Sequence, residues 1–144
     1  MPETIAAVDV GTNSLHLVVA RTTDGDRFEV LTREKEMVRL GSGSTDMKEL
    51  APEAIDRAVE ALTRFRKIAD SHGAPLRAVA TSAVREAENR KDLLRRVRKE
   101  ADVEIEVVSG VEEARLIHLG VLQALELFDR RLILCDIGGG STEL

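Results

Sequence analysis

Two short stretches carry the residue types that phosphate chemistry needs. Asp9-Val10-Gly11-Thr12-Asn13-Ser14 closes one apolar run, and Asp136-Ile137-Gly138-Gly139-Gly140-Ser141 closes another. Each reads aspartate, β-branched residue, glycine, two small residues, serine. Small residues let successive backbone N–H groups converge on an anion, and the serine hydroxyl adds a donor. The aspartates, Asp9 and Asp136, supply hard oxygens suited to Mg²⁺, directly or through water. One such loop could be an ordinary turn. Two, each ending an apolar strand, suggest a pair of jaws on a phosphate chain. The chain has no Gly-Lys pair, which excludes a Walker A loop, and "GSGSTD" (41–46) has Asp46 where a dinucleotide fingerprint needs its third glycine.

Other charged residues carry two readings each. "SGVEEARL" (109–116) starts a helix with Ser109 and Glu112 spaced as a capping box. Glu113 is left over. It shares a helical stripe with Ile117 and Gly120, so partial desolvation would raise its pKa toward that of a useful general base. Alternatively it only complements the positive end of the helix. Arg85, placed in a loop after a strand, is a bidentate phosphate ligand or a solvated surface arginine. Arg39, beside the small residues of "RLGSG", has the same two readings. "NRKDLLRRVRKE" (89–100) is a basic helix, either a solvated face or a landing strip for a polyanion. His16, His72 and His118 show no metal-ligand spacing.

These residues must be held by a frame, and the pattern predicts one. Apolar runs predict strands at 4–10, 14–20 and 27–40, the last with uncertain limits. Ile55, Ala58, Val59, Leu62, Phe65 and Ile68 recur at helical spacing over 52–71, with Pro52 at a first-turn position. A strand at 76–81, a helix at 88–101, a strand at 103–109 and a helix from 110 to about Phe128 follow. "RRLILCD" (130–136) reads as a further strand. The β-β-β-α-β-α-β-α order implies a mixed sheet with helices on its faces. A boundary falls near 128–130.

Bulk properties agree with an ordinary globular domain. Apolar residues make up 43% and charged residues 33% of 144, with a formal net charge of −5. Such a chain is no electrostatic trap for nucleic acid. With three Phe and neither Tyr nor Trp, the core is aliphatic and base stacking on aromatic platforms is not expected. The lone Cys135, inside an apolar run, reads as a buried small hydrophobe. No signal peptide or membrane-spanning segment is evident, so the expected compartment is the cytoplasm.

"AAVDVGTNSLHLVVA", "RLGSG", "TSAVREAENR", "SGVEEARLIHLGV" and "CDIGGGSTEL" together resemble the exopolyphosphatase and guanosine pentaphosphate phosphohydrolase (Ppx/GppA) family. The resemblance spans nearly all of 5–144. It implies the α/β, ribonuclease-H-like lobe of the actin-like ATPase superfamily, with 1–128 as the first lobe and 129–144 as the start of a second. It implies Glu113 as general base and Asp136 as an acidic residue of a metal-dependent site, with Glu143 nearby. Gly11, Thr12, Asn13 and Ser14 would form the first phosphate loop, and Gly138, Gly139, Gly140 and Ser141 the second. Arg85 of "TSAVREAENR" would contact the substrate phosphate, and Arg39 of "RLGSG" would be a further phosphate-binding residue. The implied reaction is Mg²⁺-dependent hydrolysis of inorganic polyphosphate from its end, with guanosine pentaphosphate (pppGpp) as the alternative substrate. A full-length member is expected to be a homodimer without nucleic-acid or membrane partners. A 144-residue piece lacking most of the second lobe is expected to be nearly inactive, with 131–144 flexible or paired to a neighbour. An actin-like-fold kinase or ATPase, and a non-catalytic polyphosphate- or nucleotide-binding module, are the readings of another class.

Overall fold

The computed structural model describes residues 2–24, 27–42, 48–125 and 129–143. Strands β1 (Thr4–Val10), β2 (Ser14–Thr23) and β3 (Arg27–Met37) form an antiparallel meander. A 3-10 turn at Leu40–Ser42 leads toward α1 (Pro52–Ser71), β4 (Leu76–Ala80), α2 (Ser82–Glu86), α3 (Arg90–Ala101), β5 (Ile105–Val107) and α4 (Gly110–Ala124). β4 returns parallel to β1, and β5 parallel to β4, giving a five-stranded sheet in the order β3-β2-β1-β4-β5. A separate two-stranded hairpin, β6 (Asp136–Ile137) and β7 (Thr142–Glu143), closes the described chain.

Strand periodicity decides which face is dry. Ala6, Val8 and Val10 of β1, Leu15, Leu17 and Val19 of β2, and Ala78 and Ala80 of β4 are buried. Residues two apart share a face, so these line one side of the sheet. α1 packs there, and α3 packs against α1. Ala54, Ala58 and Ala61 let α1 approach closely, while Leu62 and Phe65 fill the space left, both fully buried. Burying a side chain of that size is worth about 1.5–3 kcal/mol. α1 starts on Pro52 and stops where Gly73 adopts φ +60°. The amides of Gly73 and Ala74 then bond the carbonyls of Asp70 and Ala69. The opposite face carries Asp9 and His16, both exposed.

Several expectations need correction. "TSAVRE" is not a loop: its residues 82–86 form α2, anchored by Ser82 against the first loop. "RRLILCD" does not form a strand over 130–135; only Asp136 and Ile137 pair, and with β7. Leu132 and Leu134 are half-buried, and Ile133 and Cys135 are exposed, so Cys135 is not a core residue. The alternation is that of a strand, but no partner strand lies alongside it among the described residues. The capping box is half made. Ser109 Oγ accepts from the Glu112 amide at 3.2 Å, but the Glu112 carboxylate turns to Arg115 at 2.7 and 2.8 Å. α4 ends at Ala124, and the expected end at Phe128, like Asp46, lies outside the described residues. No described helix is long and apolar enough to cross a membrane.

Candidate active site

The two Asp-x-Gly-x-x-Ser segments form the same local structure. Each is a hairpin turn closed by the glycine amide donating to the serine carbonyl, Gly11 to Ser14 at 3.1 Å and Gly138 to Ser141 at 2.9 Å. Register matches as well: Asp9 lies opposite His16, and Asp136 opposite Glu143. A Cβ on Gly11 would sit 2.9 Å from the Ser14 carbonyl oxygen, so the turn itself requires glycine.

The two turns meet. A Cβ on Gly139 would lie 2.6 Å from Asn13 Nδ2 and 3.2 Å from Thr12 Cβ. Between the hairpins is a mainly polar cavity of about 300 Å³, lined by Gly11, Asn13, Ser14, Gly138, Gly139 and Ser141. Asp9, Asp136 and Glu113 also border it, as does Thr12. Gly140 sits in the second turn, in the same Gly-Gly-Gly run.

Neighbouring backbone holds the first turn from outside. The amides of Val38 and Arg39 both donate to the Asn13 carbonyl, at 3.0 and 2.8 Å, and the Gly41 amide donates to that of Thr12 at 3.0 Å. Arg39 achieves this with φ 55°, a left-handed conformation that a non-glycine residue adopts at some cost. α1 secures the same segment through Arg57, whose Nε and Nη2 donate to the Val38 carbonyl at 3.0 and 2.8 Å. Arg39 therefore meets the site through its backbone, and its side chain does not line the cavity. The Thr12 hydroxyl is paired with Ser82 Oγ at 3.0 Å, both residues being buried. What Thr12 can present to an anion is thus its backbone.

Glu113 stands where the polar cavity meets an adjoining recess of about 270 Å³ walled by Val79, Val108, Leu116 and Ile117. That apolar wall explains its titration. Desolvation raises its carboxyl above the ordinary range and outweighs the hydrogen bond from Arg85, with Glu143 and Asp9 adding repulsion. Arg85 Nη1 lies 3.0 Å from Glu113 Oε2 and 2.9 Å from the Val108 carbonyl oxygen. Arg85 does not line the cavity between the hairpins. It supports Glu113 from behind and borders a different groove. Glu113 Oε1 makes no protein hydrogen bond among the described residues.

The acidic residues suit a divalent cation. Crowding by its neighbours desolvates Asp9, though part of its surface stays exposed, and raises its carboxyl; His16 offsets this in part, and repulsion from Asp136 adds to it. Glu143 Oε2 is buried without a partner. Among the described residues no three carboxylate, histidine or cysteine side chains form a ready metal cage. Mg²⁺ does not need one, because it commonly takes one or two carboxylates and completes its shell with water and substrate phosphate. Asp9 and Asp136 are placed for that, with Glu143 behind them.

Four cavity residues were not among the expected site residues: His16, Thr81, Ser82 and Ile137. His16 had a readable signal, since it follows Ser14 by two on a strand and must share its face. A groove of about 470 Å³ between α1 and α3 has both of its arginines ion-paired, Arg96 with Asp56 and Glu100, and Arg64 with Glu36.

A meander-led α/β sheet whose first turn faces a second glycine turn across a polar cavity has the architecture of the actin-like ATPase fold. The chain belongs to the Ppx/GppA phosphatase family, whose profile matches residues 18–144. It is 40% identical to "Exopolyphosphatase 1" of Mycobacterium leprae over 97% of its own length and 42% of that protein's. The homonymous protein of Mycobacterium bovis is 38% identical, over 97% and 41%. Among solved structures, an exopolyphosphatase from Cytophaga hutchinsonii superposes with a TM-score of 0.90 at 40% identity, over 97% of this chain and 45% of that one. The Aquifex aeolicus PPX-GPPA enzyme follows with a TM-score of 0.86 at 29% identity, over 99% and 47%. The chain thus spans less than half the length of these relatives.

Proposed function

We propose that the protein acts in hydrolysis of the terminal phosphoanhydride bond of inorganic polyphosphate. The observation that carries this is the contact of the two hairpin turns at Gly139, which brings both turns around one polar cavity with Glu113 on its rim. The names of the mycobacterial and Cytophaga relatives support the substrate.

In this reading the turn amides and the Ser14 and Ser141 hydroxyls hold the oxygens of the terminal phosphoryl group. Glu113 accepts a proton from a water as the water oxygen bonds to phosphorus. The bridging P–O bond breaks, and the shortened chain leaves carrying the bond's electrons on its oxygen. The apolar recess keeps Glu113 desolvated and hence more basic than an exposed glutamate. Arg85 fixes Glu113 through one oxygen and leaves the other for the water. Asp9 and Asp136, with Glu143, would hold Mg²⁺, which when bound supplies charge stabilisation for phosphoryl oxygens.

Guanosine pentaphosphate contains the same anhydride. Polyphosphate is the favoured substrate because the relatives at 38–40% identity bear the name exopolyphosphatase. Phosphate release from long-chain polyphosphate and from pppGpp, measured side by side with Mg²⁺ on the intact protein, tests this. Faster turnover of polyphosphate is expected, and a preference for pppGpp would reverse the assignment.

A further inference from the structure

We propose that His16 is a positioning residue for the first hairpin, fixing the Ser14 hydroxyl so that its proton points at a phosphoryl oxygen. The inference rests on the phosphoanhydride reading given above.

The argument starts from the repeat. The two hairpins match residue for residue: Ser14 corresponds to Ser141, and His16, opposite Asp9, corresponds to Glu143, opposite Asp136. The backbone is the same but the side-chain chemistry is opposite. A histidine ring can donate a hydrogen bond, whereas an ionised glutamate can only accept.

His16 Nε2 lies 2.9 Å from Ser14 Oγ, a full hydrogen bond, and both residues line the cavity. A serine hydroxyl has one proton. An anion in the cavity offers only acceptors, so Ser14 must spend that proton on the anion. Its oxygen is then left to accept from His16 Nε2–H. The ring locks a rotor that would otherwise sample several directions, and the locked direction serves an anion. In the second hairpin this device is missing. Glu143 cannot donate, and its Oε2 is buried without a partner, a position that suits a cation. The first hairpin, with Asp9 opposite His16, is close to charge-balanced, and its other cross-strand neighbour is Lys35 on β3. The second, with Asp136 opposite Glu143, is doubly acidic. The Ser14 hydroxyl is thereby committed to phosphoryl oxygens, whereas the carboxylate at the matching place in the second hairpin favours the divalent ion.

The test is a double-mutant cycle on tripolyphosphate binding, measured by calorimetry with variants confirmed as folded by circular dichroism. His16→Ala is expected to weaken binding about tenfold, the scale of one hydrogen bond to a charged group. Ser14→Ala should weaken it similarly, and the double variant should be no weaker than Ser14→Ala alone, because His16 acts only through that hydroxyl. His16→Gln, whose amide N–H can reach the serine, should recover part of the loss. His16→Glu, which copies the second hairpin, should lose tripolyphosphate affinity and gain affinity for Mn²⁺. Wild-type affinity in folded His16→Ala overturns the inference, as do strictly additive losses from the two single variants. Failure of the unaltered protein to bind tripolyphosphate overturns the phosphoanhydride reading itself, and the role of His16 with it.

Discussion

The sheet with α1 and α3, and the stretch from α4 to β7, are built on different principles. In the first, twenty-residue α1 buries eight of its side chains, and β1, β2 and β4 each turn a row of buried residues toward it. In the second, fifteen-residue α4 buries none, and Ile133 and Ile137 remain 88% and 78% exposed. Yet the cavity draws on both, because Asp9 and Ser14 stand on the dry-cored sheet while Glu113 and Asp136 stand on the thinly packed stretch. The comparison teaches that core packing is concentrated in the first region while the site's groups are divided between the two. The first hairpin is a rigid jaw fixed by three backbone hydrogen bonds from 38–41. The second is held by its own turn, by α4 against β7, and by contact with the first.

Changing one region at a time should sharpen that contrast. The largest effect is expected on catalysis: Glu113→Gln should lower polyphosphate hydrolysis by about 10²–10⁴-fold, the range for loss of a general base, with the fold intact by circular dichroism. Next, Phe65→Ala should cost about 3–5 kcal/mol in denaturant unfolding. Ile137→Ala, an equally apolar truncation in the other region, should stay within about 0.5 kcal/mol. Equal losses would mean that the second region carries core energy after all. Gly139→Ala should weaken anion binding by about 1–3 kcal/mol, as an overpacked contact does, while the melting temperature barely moves. A variant that melts early but binds normally would break the link between that contact and the site.

The smallest effect concerns pH. Folding raises the Glu113 carboxyl, so the folded chain holds a proton where the unfolded chain has lost it. The stability this contributes is fully present below the ordinary glutamate value and is lost as pH rises through the raised one. Asp9 is raised too and adds in the same direction. Unfolding free energy measured across that window should fall with pH in the unaltered protein and fall less in Glu113→Gln.

Much of the rigid region was legible because its signals are local. Apolar period gave α1 to the residue, and HGAP marked its stop through the positive φ of Gly73. α2 was not legible, since five residues have no period to read, and its helix depends on Ser82 meeting Thr12. The strand expected at 130–136 shows the limit of periodicity: alternation reports what a segment could bury, whereas a strand needs a partner. The two small-residue turns were visible as chemistry. What they do to each other was not, because the contact of Gly139 with Asn13 joins residues far apart in the chain. Arg85 and Arg39 were read as phosphate ligands. The structure places one behind Glu113 and uses the other through its backbone, and a residue's type says nothing about which atom it will employ.

The most direct test of the central claim, that both hairpins grip one phosphate chain, is an amide NMR titration with tripolyphosphate and Mg²⁺. The account predicts that the amides of 11–14 and 138–141 shift together and yield one dissociation constant. Shifts confined to one hairpin, or two unrelated constants, would contradict it.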